Sequence, residues 1–87
     1  MADIIHEFSY SVIDENGTLY TPRVYAQPTR DNLWEAWIEF TDRNGRTLPT
    51  ERETTQSRRD FVLYWATGLE PVYLDGAFER ARSLVNR

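Results

Sequence analysis

With 87 residues, 14 acidic and 10 basic side chains, a net charge of −4 and no cysteine, the chain has room for a single domain. That composition excludes a disulfide framework and a thiolate metal site, and it disfavours the positive field that nonspecific nucleic-acid binding needs. All ten basic residues are arginine, which also excludes Schiff-base and P-loop lysine chemistry.

No apolar run approaches a membrane span, and Met1 to Tyr10 has no basic stretch followed by an apolar one. The expectation is one domain over residues 1–87, cytoplasmic, with no membrane or nucleic-acid partner and no cofactor.

Phe8, Tyr10 and Val12 alternate with Ser9 and Ser11, the period of a first strand with its aromatic side towards a core. Asp14-Glu15-Asn16-Gly17 has the chemistry of a type I turn closing a hairpin. Tyr20, Val24 and Ala26 continue on a second strand whose other side carries Thr21, Arg23, Tyr25 and Gln27. Pro22 has no N–H for a ladder, which predicts an edge strand or pairing on one side only at that point. A three-residue loop ending on a left-handed Gly17 sets Val12 across from Tyr20 and Phe8 across from Val24.

After the polar connection Gln27 to Asn32, Trp34, Ala36, Ile38 and Phe40 share one face of a third strand, and Glu35, Trp37 and Glu39 share the other. Trp37 is a large aromatic between two carboxylates on the side expected to be wet. Asp42-Arg43-Asn44-Gly45 repeats the earlier turn, and the same register logic puts Leu48 opposite Phe40. Neither turn supplies the ligands, spread over twelve residues, that an EF-hand needs. Pro49 to Gln56 lacks apolar alternation and reads as either a weak edge strand or a loop.

Ser57-Arg58-Arg59-Asp60 resembles a helix start with Ser57 as N-cap, and Gly68 is a plausible residue just past its end. The run Phe61 to Ala66 between them is apolar on every side, so a helix is favoured over a buried strand by its flanks alone. Pro71 fits the first turn of a second helix, in which Leu74, Ala77, Phe78, Ala81, Leu84 and Val85 recur at helical spacing. Gly76 leaves open a later start, with Val72 to Leu74 extended. The fold class is therefore α+β: a mainly antiparallel sheet of about four strands followed by two C-terminal helices packed on one face.

The run T-E-R-E-T-T-Q-S-R-R-D-F-V-L-Y-W-A-T-G-L-E-P-V-Y-L-D-G-A-F-E-R-A, with W-E-A-W-I-E-F upstream, resembles a small family of uncharacterised bacterial proteins over roughly Val24 to Arg82. That resemblance implies no activity. At the level of architecture the strand-strand-helix order is similar to that of HicB-type antitoxins, whose glycine and cysteine pattern before the helix is absent from this chain.

Catalytic material is scarce: His6 is the only histidine, and no serine sits in a glycine elbow. Glu35 and Glu39 are four strand residues apart, roughly 13 Å, beyond the separations of glycosidase carboxyl pairs. Arg43, Arg46, Arg52, Arg58 and Arg59 concentrate basic charge, and Arg52, Arg58 and Arg59 near the first helix start are candidates for an anion site. Asp42, Glu51, Glu53 and Asp60 nearly neutralise the same segment.

The preferred reading uses the sheet face away from the helices, where Tyr25 and Trp37 lie among Arg23, Glu35 and Glu39. Aromatic residues with arginine are the composition that interfaces enrich. The expected function is a non-enzymatic interaction module binding another protein or a second copy of itself. A small ligand-binding domain or enzyme at the arginine-rich edge is the alternative.

Overall fold

The computed structural model describes residues 1–85. Its elements are β1 (Asp3–Glu7), β2 (Val12–Ile13), β3 (Leu19–Pro28), β4 (Trp34–Thr41), β5 (Thr47–Pro49), β6 (Thr54–Gln56), α1 (Arg59–Thr67) and α2 (Pro71–Val85). Every pairing is antiparallel, with β3 and β4 at the centre. β1 and β2 follow one another along the outer side of β3, and β5 and β6 do the same along β4. The sheet is thus four-stranded in outline, with each edge strand cut in two, and the two helices follow it as the sequence predicts.

The two hairpin turns are built alike. Asp14 Oδ1 accepts from the N–H groups of Asn16 and Thr18, and Asp42 Oδ1 accepts from those of Asn44 and Arg46, all at 2.9 Å. Gly17 and Gly45 close the loops at φ 81° and 86°, a conformation that only glycine adopts without a steric cost. The three-residue loops set Val12 opposite Tyr20 and Leu48 opposite Phe40, as expected.

The predicted pairing of Phe8 with Val24 does not form, because His6 occupies that place. Between Glu7 and Val12 the edge takes five residue steps while β3 takes three, from Arg23 to Tyr20. The interruption lies beside Pro22. Its carbonyl accepts from the Phe8 N–H at 3.1 Å, so the nitrogen that lacks a hydrogen also points to the broken edge. β3 is therefore central and yet paired on one side at the proline. Tyr10, expected on the core face, leaves the ladder and donates its hydroxyl proton to Asp75 on α2.

The other edge is broken in the same manner, with five steps from Pro49 to Thr54 facing three from Glu39 to Ala36. Pro49 to Gln56 is consequently both of its predicted alternatives, two short strands joined by a loop. Thr50 bridges the gap. Its N–H donates to Ile38 O at 2.8 Å, and its hydroxyl accepts from the Ile38 N–H at 3.1 Å while donating to Glu51 O. Short, interrupted edges of this kind oppose pairing with foreign strands.

The core lies between one sheet face and both helices. Val12, Tyr20, Val24, Ala26, Ala36, Ile38, Phe40 and Leu48 meet Val62 and Ala66 of α1 and Leu74, Ala77, Phe78 and Ala81 of α2. Ala26 and Ala36 oppose each other at the end where α1 crosses β1 and β6. Towards the other end Phe78 fills the space, its ring 5.0 Å from that of Tyr20 and 5.2 Å from that of Phe40.

The helix termini differ from the sequence reading. Arg58, not Ser57, is the N-cap of α1, because Gln56 still belongs to β6 and the chain needs one more extended residue to turn. Gly68 caps the other end in a right-handed conformation, φ −89°. α2 is helical from Pro71 onward, through Gly76, and Val85 is exposed instead of packed.

Thr50→Val keeps the side chain's shape and removes the acceptor of a buried N–H, so it should cost about 1–3 kcal/mol of stability. Thr50→Ser should recover most of that loss, and urea denaturation of the three proteins measures both effects.

Candidate functional site

The face of the sheet that the helices leave uncovered is organised in cross-strand rows. β3 and β4 pair without interruption, and their outward residues oppose one another as Thr21 with Thr41, Arg23 with Glu39, Tyr25 with Trp37, and Gln27 with Glu35. Alternation places all of them outward because their neighbours Pro22, Val24, Ala26, Ala36, Ile38 and Phe40 are buried on the core side.

At the centre the rings of Tyr25 and Trp37 stack, with centroids 6.2 Å apart and planes 13° from parallel. Both are half-buried. Trp37 Nε1 donates to Glu39 at 2.8 Å, Gln27 donates to Glu35 at 2.7 Å, and Arg23 Nε donates to Glu7 of β1 at 2.7 Å. Ile4 lies beside Tyr25 in the central row, and Ile13 and Leu19 form an exposed apolar pair at the far corner. All five residues predicted for a partner surface, Arg23, Tyr25, Glu35, Trp37 and Glu39, therefore lie in adjacent rows of one face.

The three arginines predicted as an anion site lie in separate places. Arg52 lines an open, shallow depression with Gln27, Glu35, Trp37, Pro49 and Thr50. Arg58 is hydrogen-bonded to Asp60 and lies over the Phe61 ring, 4.5 Å from its centroid. This contact holds the Asp60 carboxyl below its usual range. Arg59 pairs with Asp3 of β1 at 3.2 Å. Two of the three charges are thus met within the chain.

One cluster escaped the sequence reading. Glu53, in the β5–β6 connection, has a side chain only 8% exposed, and it accepts from the Tyr73 hydroxyl and the Arg80 guanidinium. Tyr73 and Arg80 are seven residues apart on α2, hence on one stripe of the helix, which was the available signal. Burial first, and then the Glu53 carboxylate, pushes the Tyr73 hydroxyl up to about 12. Among the described residues no buried side-chain polar atom lacks a partner, and this cluster serves as a clasp between the sheet edge and α2.

The apolar run of α1 is buried on one side only. Val62 and Ala66 face the core, whereas Phe61, Leu63 and Tyr64 are 42%, 40% and 83% exposed. Trp65 packs edge-on against Tyr73. His6, the only histidine, sits in β1 with its ring edge-on to Phe8.

Among the described residues no group of three or more His, Asp or Glu is placed to hold a metal ion, and no helix is long and apolar enough to cross a membrane. No protein-family model, no curated protein and no solved structure matches this chain.

Because the folded Tyr73 lies above the ordinary value of 10.0, the unfolded chain gives up that proton first. The Tyr73 contribution to stability should be full below pH 10.0 and fall as the pH rises towards about 12. Tyr73→Phe should flatten that decline, leaving the share from Tyr10, which its hydrogen bond to Asp75 also raises. Denaturation midpoints measured across this pH range in both proteins check the expectation.

Proposed function

We propose that the chain is a non-enzymatic protein-interaction module whose binding surface is the uncovered sheet face. The observation that carries this reading is the Tyr25–Trp37 stack at the centre of that face, surrounded by polar side chains already held by hydrogen bonds. Side chains fixed before binding lose less rotamer freedom on association, and aromatic residues with arginine dominate the energetics of protein interfaces.

Packing between Tyr25 and Trp37 alone contributes about 0.2–1 kcal/mol as a cross-strand pair. The fold does not depend on a tryptophan there, since the core is complete on the other face. The alternative, an anion or substrate site at Arg52, Arg58 and Arg59, has less support because Asp60 and Asp3 take up two of the three guanidinium groups.

Trp37→Ser tests the proposal. The variant should keep the far-UV circular dichroism and cooperative melting of the parent, and it should change the oligomeric state or abolish partner capture from the native cell. Unchanged light scattering together with unchanged capture would refute it.

A further inference from the structure

The rows of the open face carry a second property. Each pairs a residue on β3 with a complementary one on β4: Arg23 with Glu39, Tyr25 with Trp37, Gln27 with Glu35. A two-fold axis running between β3 and β4, roughly along the strands, would lay each β3 residue of one copy over the β4 residue of the same row in the other. We infer that the face is complementary to itself and that its partner is a second copy of this chain. The inference rests on the interaction reading above and narrows it to one occupant.

In this arrangement Arg23 faces the partner's Glu39, Tyr25 lies on the partner's Trp37, and Gln27 meets the partner's Glu35, each contact occurring twice by symmetry. The groups needed are free. Arg23 uses Nε for Glu7, Trp37 occupies one oxygen of Glu39, and Gln27 occupies one oxygen of Glu35. The terminal nitrogens of Arg23 and the second oxygen of each carboxylate have no side-chain partner among the described residues.

Two other two-fold axes fail on charge. An axis along β4 would place Glu35 on the partner's Glu35 and Glu39 on the partner's Glu39. An axis across the strands through Trp37 would place Glu35 on Glu39. Both set like charges against each other on a surface being desolvated.

Area is consistent with a dimer of modest strength. Eight rows at about 3.3 Å and four strands at about 4.8 Å give roughly 500 Å² of plane per copy, near the lower end of specific interfaces. Sheets packed face to face align at about −30°, which keeps the central rows within reach of one another.

The test is sedimentation velocity of the full chain over a concentration series. The wild type should pass from monomer to dimer as concentration rises. Arg23→Glu and Glu39→Arg should each weaken the dimer by about tenfold or more, because each places like charges together twice. An equimolar mixture of the two variants should dimerise again, since Glu at 23 and 39 in one copy then faces Arg at 39 and 23 in the other.

Melting curves verify that the variants fold. If either does not, Arg23→Gln and Glu39→Gln, which remove charge without adding repulsion, must each weaken the dimer. A wild type that stays monomeric, or a mixture that does not recover, overturns the inference. So does a dimer that survives both charge reversals and is lost on Tyr64→Ser, which would put the contact on α1. If Trp37→Ser abolishes capture of a different protein by a monomeric wild type, the interaction reading stands and the second copy is refuted.

Discussion

The uninterrupted antiparallel pairing of β3 with β4 is the constraint on which the rest of the structure depends. Its eight rows run from Thr21 opposite Thr41 to Pro28 opposite Trp34. Because side chains alternate strictly along a strand, this register decides at one stroke which residues form the core and which form the open face. A slip of one residue would turn one strand over against the other, either burying Arg23 and exposing Val24 or burying Glu35 and Glu39 and exposing Ile38 and Phe40. Both helices then find a single apolar surface to cover, and the short connection through Gly68 keeps them on the same side.

The edges follow from that central pair. Neither flanking strand pairs along its whole length: Pro22 of β3 has no N–H to offer, and the Ile38 N–H of β4 goes to the side chain of Thr50 instead of a backbone carbonyl. Each edge solves this by taking two extra residues at its middle. On one side the missing Pro22 N–H coincides with the break. On the other, Thr50 supplies with its hydroxyl the acceptor that a continuous strand would have offered through a carbonyl. The extra residues then do further work: Tyr10 reaches Asp75, and Glu53 reaches Tyr73 and Arg80, tying both edges to α2.

The faces of the sheet were legible in the sequence because alternation and the two Asp-x-Asn-Gly turns act locally. Asp14 and Asp42 bind only their own loops, and the registers of Val12 with Tyr20 and of Phe40 with Leu48 follow from those loops alone. The candidate surface was legible for the same reason, since Arg23, Tyr25, Glu35, Trp37 and Glu39 needed only their strand parity. The edge interruptions were not, because they arise from contacts distant in sequence, Phe8 with Pro22 and Ile38 with Thr50. The Glu53 clasp joins positions 20 and 27 residues apart. Ser57 looked like a cap because its chemistry suits one, but the length of β6 decided where the helix began. The exposure of Phe61, Leu63 and Tyr64 was hidden because composition alone does not reveal how much of a nine-residue helix two neighbouring strands can cover.

The same sheet supplies its own control for the significance of the open face. Its Thr21–Thr41–Thr47 row is what a solvated surface requires: small β-formers, with the Thr41 and Thr47 hydroxyls 3.2 Å apart. Two outward rows away the chain places tyrosine and tryptophan at equivalent positions, and it fixes the indole with a hydrogen bond to Glu39. Strand propensity does not distinguish these rows, since threonine, tyrosine and tryptophan all favour the pleated surface. Nor does core packing, because neither row touches the helices. What separates them is the amount of apolar surface presented and how rigidly it is held. In a chain of 87 residues, which can bury only part of its apolar surface within itself, the aromatic pair is held in place on the side that the helices leave uncovered.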